Sequence, residues 1–131
     1  MNAFLVDLEN KPGALASLAE ALGNKGVNIT GVAGVTIGAS GRAAITTSDP
    51  EMTRQVLQTI HASFKEFEVT EVSLPNRPGS LGQATRRLAS AGVNLEAMFP
   101  IGMSGDDIKV AFVTDNATKA KELLAPASTA S

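Results

Sequence analysis

The chain contains its own copy. Leu8-Glu9-Asn10-Lys11-Pro12-Gly13-Ala14-Leu15 returns 66 residues later as Leu74-Pro75-Asn76-Arg77-Pro78-Gly79-Ser80-Leu81. At the same offset Gly26-Val27-Asn28-Ile29 returns as Gly92-Val93-Asn94-Leu95, and Asp49 aligns with Asp115. Nine of the 22 positions in 8–29 match those in 74–95, where unrelated windows of ordinary composition match at roughly one or two. A tandem duplication of one supersecondary unit explains this. Halves of about 65 residues bury little apolar surface alone, so a shared or oligomeric core is expected.

The first half spells βαββα. Residues 2–8 alternate, with Phe4, Val6 and Leu8 on one face, as a strand does. Pro12-Gly13 opens a helix in which proline suits the first turn, and Leu15, Leu18, Ala19 and Leu22 form one buried stripe. Gly26 ends it with a left-handed cap. Residues 27–37 and 42–47 predict a hairpin turning through Gly38-Ala39-Ser40-Gly41, and Asp49 caps a second helix carrying Met52, Val56, Leu57, Ile60, His61 and Phe64. The second half repeats the pattern: a strand over 69–74 and a helix with Leu81, Ala84, Thr85 and Leu88. A hairpin of 93–101 with 109–114 turns through Gly102-Met103-Ser104-Gly105, and a last helix covers 118–124. The expected modules are 1–66 and 67–125, with a small-residue disordered tail at 126–131. Only residues 67–74 separate the second helix from the second motif, so one bent strand is expected to close the first half and begin the second. The second half has no closing strand, and its open edge needs a partner.

Several function classes fall away on composition. Eleven basic against 13 acidic residues leave −2, the wrong sign for a nucleic-acid surface, and the exposed aromatics for base stacking are missing. No stretch approaches a membrane span or a signal peptide, which points to the cytoplasm, and no cysteine is present for a disulfide, thiolate metal site or nucleophile. Gly31, Gly34, Gly38 and Gly41 lack the following G-K-[ST] of a phosphate loop. His61 has no serine–aspartate partners in view, and Asp106-Asp107 fits a hairpin tip. Arg86-Arg87 near Lys109 is expected to be a solvated face, and Met98, Phe99 and Met103 suit core packing better than a pocket. No metal set, cofactor fingerprint or nucleophile–base pair supports an enzyme, and no cofactor is expected.

The chemistry concentrates at the repeated loop. An asparagine at a strand end beside a helix start offers an amide donor and acceptor next to free backbone N–H groups. That suits the ammonium and carboxylate of one small ligand. The glycines at 13 and 79 permit close backbone approach. The same asparagines could instead only cap the helix, and Asn28 and Asn94 could only shape the turn into the strand.

Strand, N-[KR]-P-G-x-L, amphipathic helix, G-V-N-[IL], hairpin, helix: this order resembles the ACT domain, a ferredoxin-like βαββαβ module, here in two copies and without an attached enzyme. The resemblance implies an α+β fold, an antiparallel sheet with helices on one face, and amino-acid sensing. The candidate ligand-binding set is then Asn10, Lys11, Pro12, Gly13 and Asn28 with Asn76, Arg77, Pro78, Gly79 and Asn94. In the serine-binding type, the loop asparagine of one module and the G-V-N asparagine of its neighbour share the ligand, which implies Asn10 with Asn94 and Asn76 with Asn28, within a chain or between chains. That type carries a histidine two residues before the first asparagine. Leu8 and Leu74 stand there instead, which favours a more apolar amino acid than serine. The expected protein is a non-enzymatic amino-acid-binding regulator, homodimeric through an apolar sheet face. The alternative is a regulatory subunit that contacts an amino-acid biosynthetic enzyme without a ligand of its own.

Overall fold

A computed structural model describes the backbone of residues 1–129 and the side chains of 1–124. The elements run β1 (Asn2–Glu9), α1 (Ala14–Gly23), β2 (Ile29–Ile37), β3 (Ser40–Thr47), α2 (Pro50–Thr59), β4 (Phe64–Pro75), α3 (Ser80–Ser90), β5 (Leu95–Ser104), β6 (Asp107–Thr114) and α4 (Ala117–Thr129). Contacts divide the chain into two units, Met1–Phe67 and Glu68–Ser131, with the division inside β4. The expected tail at 126–131 lies outside the described residues, save the backbone of α4.

In the first unit the strand order is β2-β3-β1, with the opening residues of β4 beside β1. Period-2 alternation sends Phe4 and Val6 of β1 and Ile45 of β3 to one face, where Leu18 and Leu22 of α1 and Val56 and Leu57 of α2 complete a core. The closing residues of this sheet are tied to β1: Asp7 N donates to Ser63 O at 2.9 Å, and Phe64 tilts against Phe4 at 6.1 Å. The second unit builds the same layers on β4-β6-β5, with Val72, Val110 and Phe112 under Ala84, Leu88, Ala120 and Leu124. This is the ferredoxin-like plan in tandem, helices on one sheet face. Among the described residues, no strand of the second unit lies outside β4.

Both first helices end alike. Val27 N reaches Leu22 O (3.0 Å) and Gly26 N reaches Gly23 O (2.9 Å), with Gly26 at φ 74°. Val93, Leu88, Gly92 and Ala89 repeat the arrangement around φ 75° at Gly92. This is a Schellman cap, and its apolar pair, Val27 on Leu22 or Val93 on Leu88, belongs to the core. His61 takes the same left-handed place after α2 at φ 58°, so it is a cap residue and not a helical one.

Four sequence expectations need correction. Pro12 stands ahead of α1, whose N-cap is Gly13 at φ 88°, because the chain must reverse before the helix can lie on the sheet. Leu15 and Leu81 are about half exposed (46% and 45%), leaving Leu18 and Leu22 or Ala84 and Leu88 as the buried stripe. The second hairpin runs through Gly102-Met103-Ser104 and turns at Gly105-Asp106, since pairing with β6 continues to Ser104 opposite Asp107. The repeat offset also changes within it. Pro100 pairs with Val110 but Gly102 with Lys109, so Ile101 is an extra, bulged residue. Beyond it Ser48 corresponds to Asp115, not Asp49: Ser48 and Asp115 each exchange bonds with Asn28 or Asn94, while Asp49 and Asn116 cap α2 and α4.

The two units also differ in how their helices grip the sheet. Arg54 of α2 makes two 2.7 Å bonds to Glu66, whose Oε2 accepts from Asn2 Nδ2 at 2.6 Å. Glu66 therefore bridges α2 to β1. In the second unit Lys121, the equivalent of Arg54, pairs directly with Glu68, which corresponds to Asn2. The carboxylate sits on the central strand where no closing strand supplies it.

The paired Arg54 guanidinium, with help from Asn2, holds the Glu66 carboxyl below the usual carboxylate range, against the opposing effect of its partial burial. Because the folded state favours the ionised form, its stabilisation is present above the unfolded value and is lost as pH falls through the lower folded one. Urea midpoints of wild type and Glu66→Gln should therefore differ at neutral pH and converge below about pH 4.3. A gap that persists unchanged in acid would show that Glu66 contributes nothing through its charge.

Candidate functional site

Each repeat places its loop between the first strand and the first helix of its unit. Gly13 (φ 88°) and Gly79 (φ 90°) occupy the N-cap, with no side-chain cap bond. A Cβ would meet nothing within 4 Å at either glycine, so the left-handed backbone and not crowding demands it. Neither Asn10 nor Asn76 caps its helix. The N–H groups of Leu15 and Ala16, and of Leu81 and Gly82, find no partner among the described residues, since the helical ladders begin at Ser17 N to Gly13 O and Gln83 N to Gly79 O. Both helix starts remain free to receive a carboxylate.

A cavity lies between each loop and the hairpin of its own unit. In the first, about 300 Å³ is bordered by Leu8, Asn10, Lys11, Leu15 and the hairpin residues Thr36 and Arg42. In the second, about 290 Å³ is bordered by Asn76, Arg77 and Leu81, with Met98, Pro100 and Ile108 making it the more apolar. The exposed leucines of the two motifs thus stand in corresponding walls. Pro12, Gly13, Pro78 and Gly79 shape the loops without bordering the cavities.

The two asparagines are not equivalent. Asn10 Nδ2 donates to Gly38 O at 2.7 Å and Asn10 N to Ala39 O at 3.0 Å, fastening the loop to the hairpin tip. Asn76 makes no such bond among the described residues, because the bulged hairpin carries its turn to Gly105. Lys11 is paired with Glu9 at 3.1 Å, whereas Arg77 has no carboxylate partner among the described residues. Asn28 and Asn94 are exposed at the feet of β2 and β5, with only their backbones engaged: Asn28 N to Ser48 Oγ and Asn94 N to Asp115 Oδ1, both 3.0 Å. Within its own unit, Asn28 does not border the cavity of Asn10, nor Asn94 that of Asn76.

Of the three residues expected to pack in the core, Phe99 is buried, Met98 packs partly buried against the core while also lining the second cavity, and Met103 is instead exposed on β5. Arg86 and Arg87 are exposed, as expected of a solvated face, and Arg87 also borders, with Arg77, Ser80 and Gln83, a further cavity of the second unit. The signal was present in the repeat, where Ala14, Ser17 and Ala21 become Ser80, Gln83 and Arg87. No helix among the described residues is long and apolar enough to cross a membrane, and none of their acidic and histidine side chains cluster as a metal set would.

Removing the amide at the two loops should separate their roles. Asn10→Ala loses the tie to Gly38 and should cost about 0.5–1.5 kcal/mol in urea unfolding, whereas Asn76→Ala should cost clearly less. Equal losses would contradict the asymmetry.

The sequence model of the family described as ACT domain pair matches residues 4–128. No curated protein matches the sequence. Among solved structures, a protein of Bacteroides thetaiotaomicron is similar at 25% identity, TM-score 0.80, over 96% of this chain and 87% of that one. The ligand-free regulatory subunit of aspartate kinase from Thermus thermophilus shares the fold at 18% identity, TM-score 0.67, over 95% of this chain and 87% of that one. Aspartate kinase from Synechocystis does so at 18% identity and TM-score 0.66, over 98% of this chain but 25% of the enzyme.

Proposed function

Because the chain belongs to the ACT domain pair family, we propose that it is a non-enzymatic regulatory protein that binds a small amino acid at its two N-x-P-G loops. One observation carries this reading: in both units the loop asparagine and a half-exposed leucine border a cavity of about 300 Å³ or 290 Å³ beside a helix start with free N–H groups. The helix start suits the carboxylate, the amide oxygen suits the ammonium, and Leu15 or Leu81 suits an apolar side chain. Leu8 and Leu74 add to that apolar character. Asn28 and Asn94 enter through the family pattern, which pairs each with the loop asparagine of the other repeat. Binding that differs between assembly states would carry the signal, because a ligand that binds both states equally shifts nothing.

The test is thermal and chemical stability against the twenty amino acids. A ligand at 100 times its dissociation constant should stabilise the fold by about 2.7 kcal/mol. Asn76→Ala is the cleaner probe, since the Asn76 side chain makes no hydrogen bond among the described residues; Asn10→Ala, Asn28→Ala and Asn94→Ala complete the set. Stabilisation by one small group of amino acids, weakened in Asn76→Ala, is the expected result. No shift with any amino acid in a well-folded protein overturns the sensor reading.

A second reading, regulation by protein contact, has its own observation. β2 ends the strand order of the first unit and leaves Val35 and Ile37 exposed at 64% and 82%. An unpaired apolar edge of this kind invites another chain. It fits a homodimer or an enzyme partner such as the aspartate kinase for which the Thermus protein is a regulatory subunit. Ile37→Lys should lower the mass measured by light scattering if a second copy covers the edge. An unchanged assembly would remove β2 from that role.

A further inference from the structure

The first unit shows what belongs outside the central strand of this fold, and the second unit lacks it. There, a cavity of about 270 Å³ opens against residues 72–75 of β4. Its floor is apolar, from Val72, Leu74, Ala84 and Leu124. Its rim is a single stripe on α3 and the loop before it: Arg77, Ser80, Gln83 and Arg87. Positions 80, 83, 84 and 87 share one helical face, and the long arginine at 87 leans toward the helix N-terminus, over Gln83.

Three observations say that this space is built for a ligand. Among the described residues no carboxylate borders it, and neither Arg77 nor Arg87 has an acidic partner. Arg42 and Arg54 are held by Asp7 and by Glu66 and Glu51, while Arg86, which does not border the cavity, is also without an acidic partner among the described residues. Ser80, only 9% exposed, borders the cavity, and its buried Oγ has no hydrogen-bond partner, a condition that buried hydroxyls rarely tolerate. The repeat supplies the third. Leu18, which fills the core in the first unit, shrinks to Ala84, while Ala14, Ser17 and Ala21 become Ser80, Gln83 and Arg87. Space left by a lost strand and merely repacked would have gained apolar bulk. This one gained depth, a new hydroxyl at Ser80, a longer amide in place of the Ser17 hydroxyl, and a cation at Arg87.

We propose that the second repeat carries an anion site in the place of its missing closing strand. It takes a small acid, a carboxylate or phosphate held by Arg77 and Arg87 and bonded by Gln83 and Ser80, with a short apolar portion on Val72, Leu74 and Leu124. The site adjoins the amino-acid site of the second unit, with which it also shares Leu74 and Pro75. Arg77 and Ser80 border both cavities, but Gln83 and Arg87 border this one alone.

The test titrates the whole chain with inorganic phosphate and with butyrate at constant ionic strength, reading backbone amide shifts by NMR. Saturable shifts centred on Ser80, Gln83 and Arg87 are expected. They should weaken at least tenfold in Arg87→Ala, partly recover in Arg87→Lys, and be unaffected by Asn76→Ala, which tests the other site. Ser80→Ala should raise the unliganded thermal midpoint while lowering anion affinity, a combination that a purely structural hydroxyl would not produce. Shifts that fail to saturate, that match those at Lys25 and Lys65, which have no acidic partner among the described residues, or that survive Arg87→Ala overturn the proposal. So does saturation by an acidic peptide but by neither free acid, which would make the groove a docking site for a strand.

Discussion

Each unit depends on a strand that must stop, reverse and become a helix within four residues, and on a glycine that makes this possible. Gly13 and Gly79 take left-handed backbone where other residues would be strained by about 1–2 kcal/mol. With glycine as the N-cap, no side chain satisfies the first N–H groups of the helix. The preceding asparagine is thereby released from capping. One backbone constraint sets the helix on the sheet and leaves a polar cluster at its start. Leu15 and Leu81 follow from the same geometry, carried by the first turn to a cavity wall and not to the core.

The copies have diverged where the fold is closed. In the first, the closing residues lie beside β1, and Glu66 joins Arg54 to Asn2 across them. In the second, Lys121 turns to Glu68 on the central strand, and the positions that would face a closing strand are polar or shortened. These changes are concerted: a helix cation loses its partner strand and finds another carboxylate, and a core leucine gives way to alanine. The hairpins diverged too. One bulged residue, Ile101, moves the second turn and leaves Asn76 without the carbonyl that Asn10 engages. A duplicated loop thus holds one asparagine committed to structure and one free for chemistry.

Much of the plan was legible in the chain alone. The repeat, the order of elements, the capping glycine at 26 and the core residues Phe4, Val6, Leu18 and Leu22 follow from local spacing, because strands alternate by two and helices by about 3.6. The loop residues were legible as chemistry for the same reason: a strand end beside a helix start is a local event. What failed was long-range. Leu15 and Leu81 fit a helical stripe, yet each borders a cavity beside the sheet and stays about half exposed. Pro12 fits a first helical turn, yet the reversal at Gly13 puts it outside.

By itself, the sequence determined the duplication, the helices and strands, and the residue types gathered at each loop, since these rest on periodicity and on backbone preferences of glycine, proline and asparagine. Tertiary structure decided which of those residues are engaged. The bond from Asn10 to Gly38 spans 28 residues, the Arg54–Glu66 pair depends on where a closing strand lies, and the cavity of Arg77 and Arg87 exists because none lies there. Hydrogen bonds and cavities form between groups distant along the chain, and their energy depends on distances that no local pattern encodes.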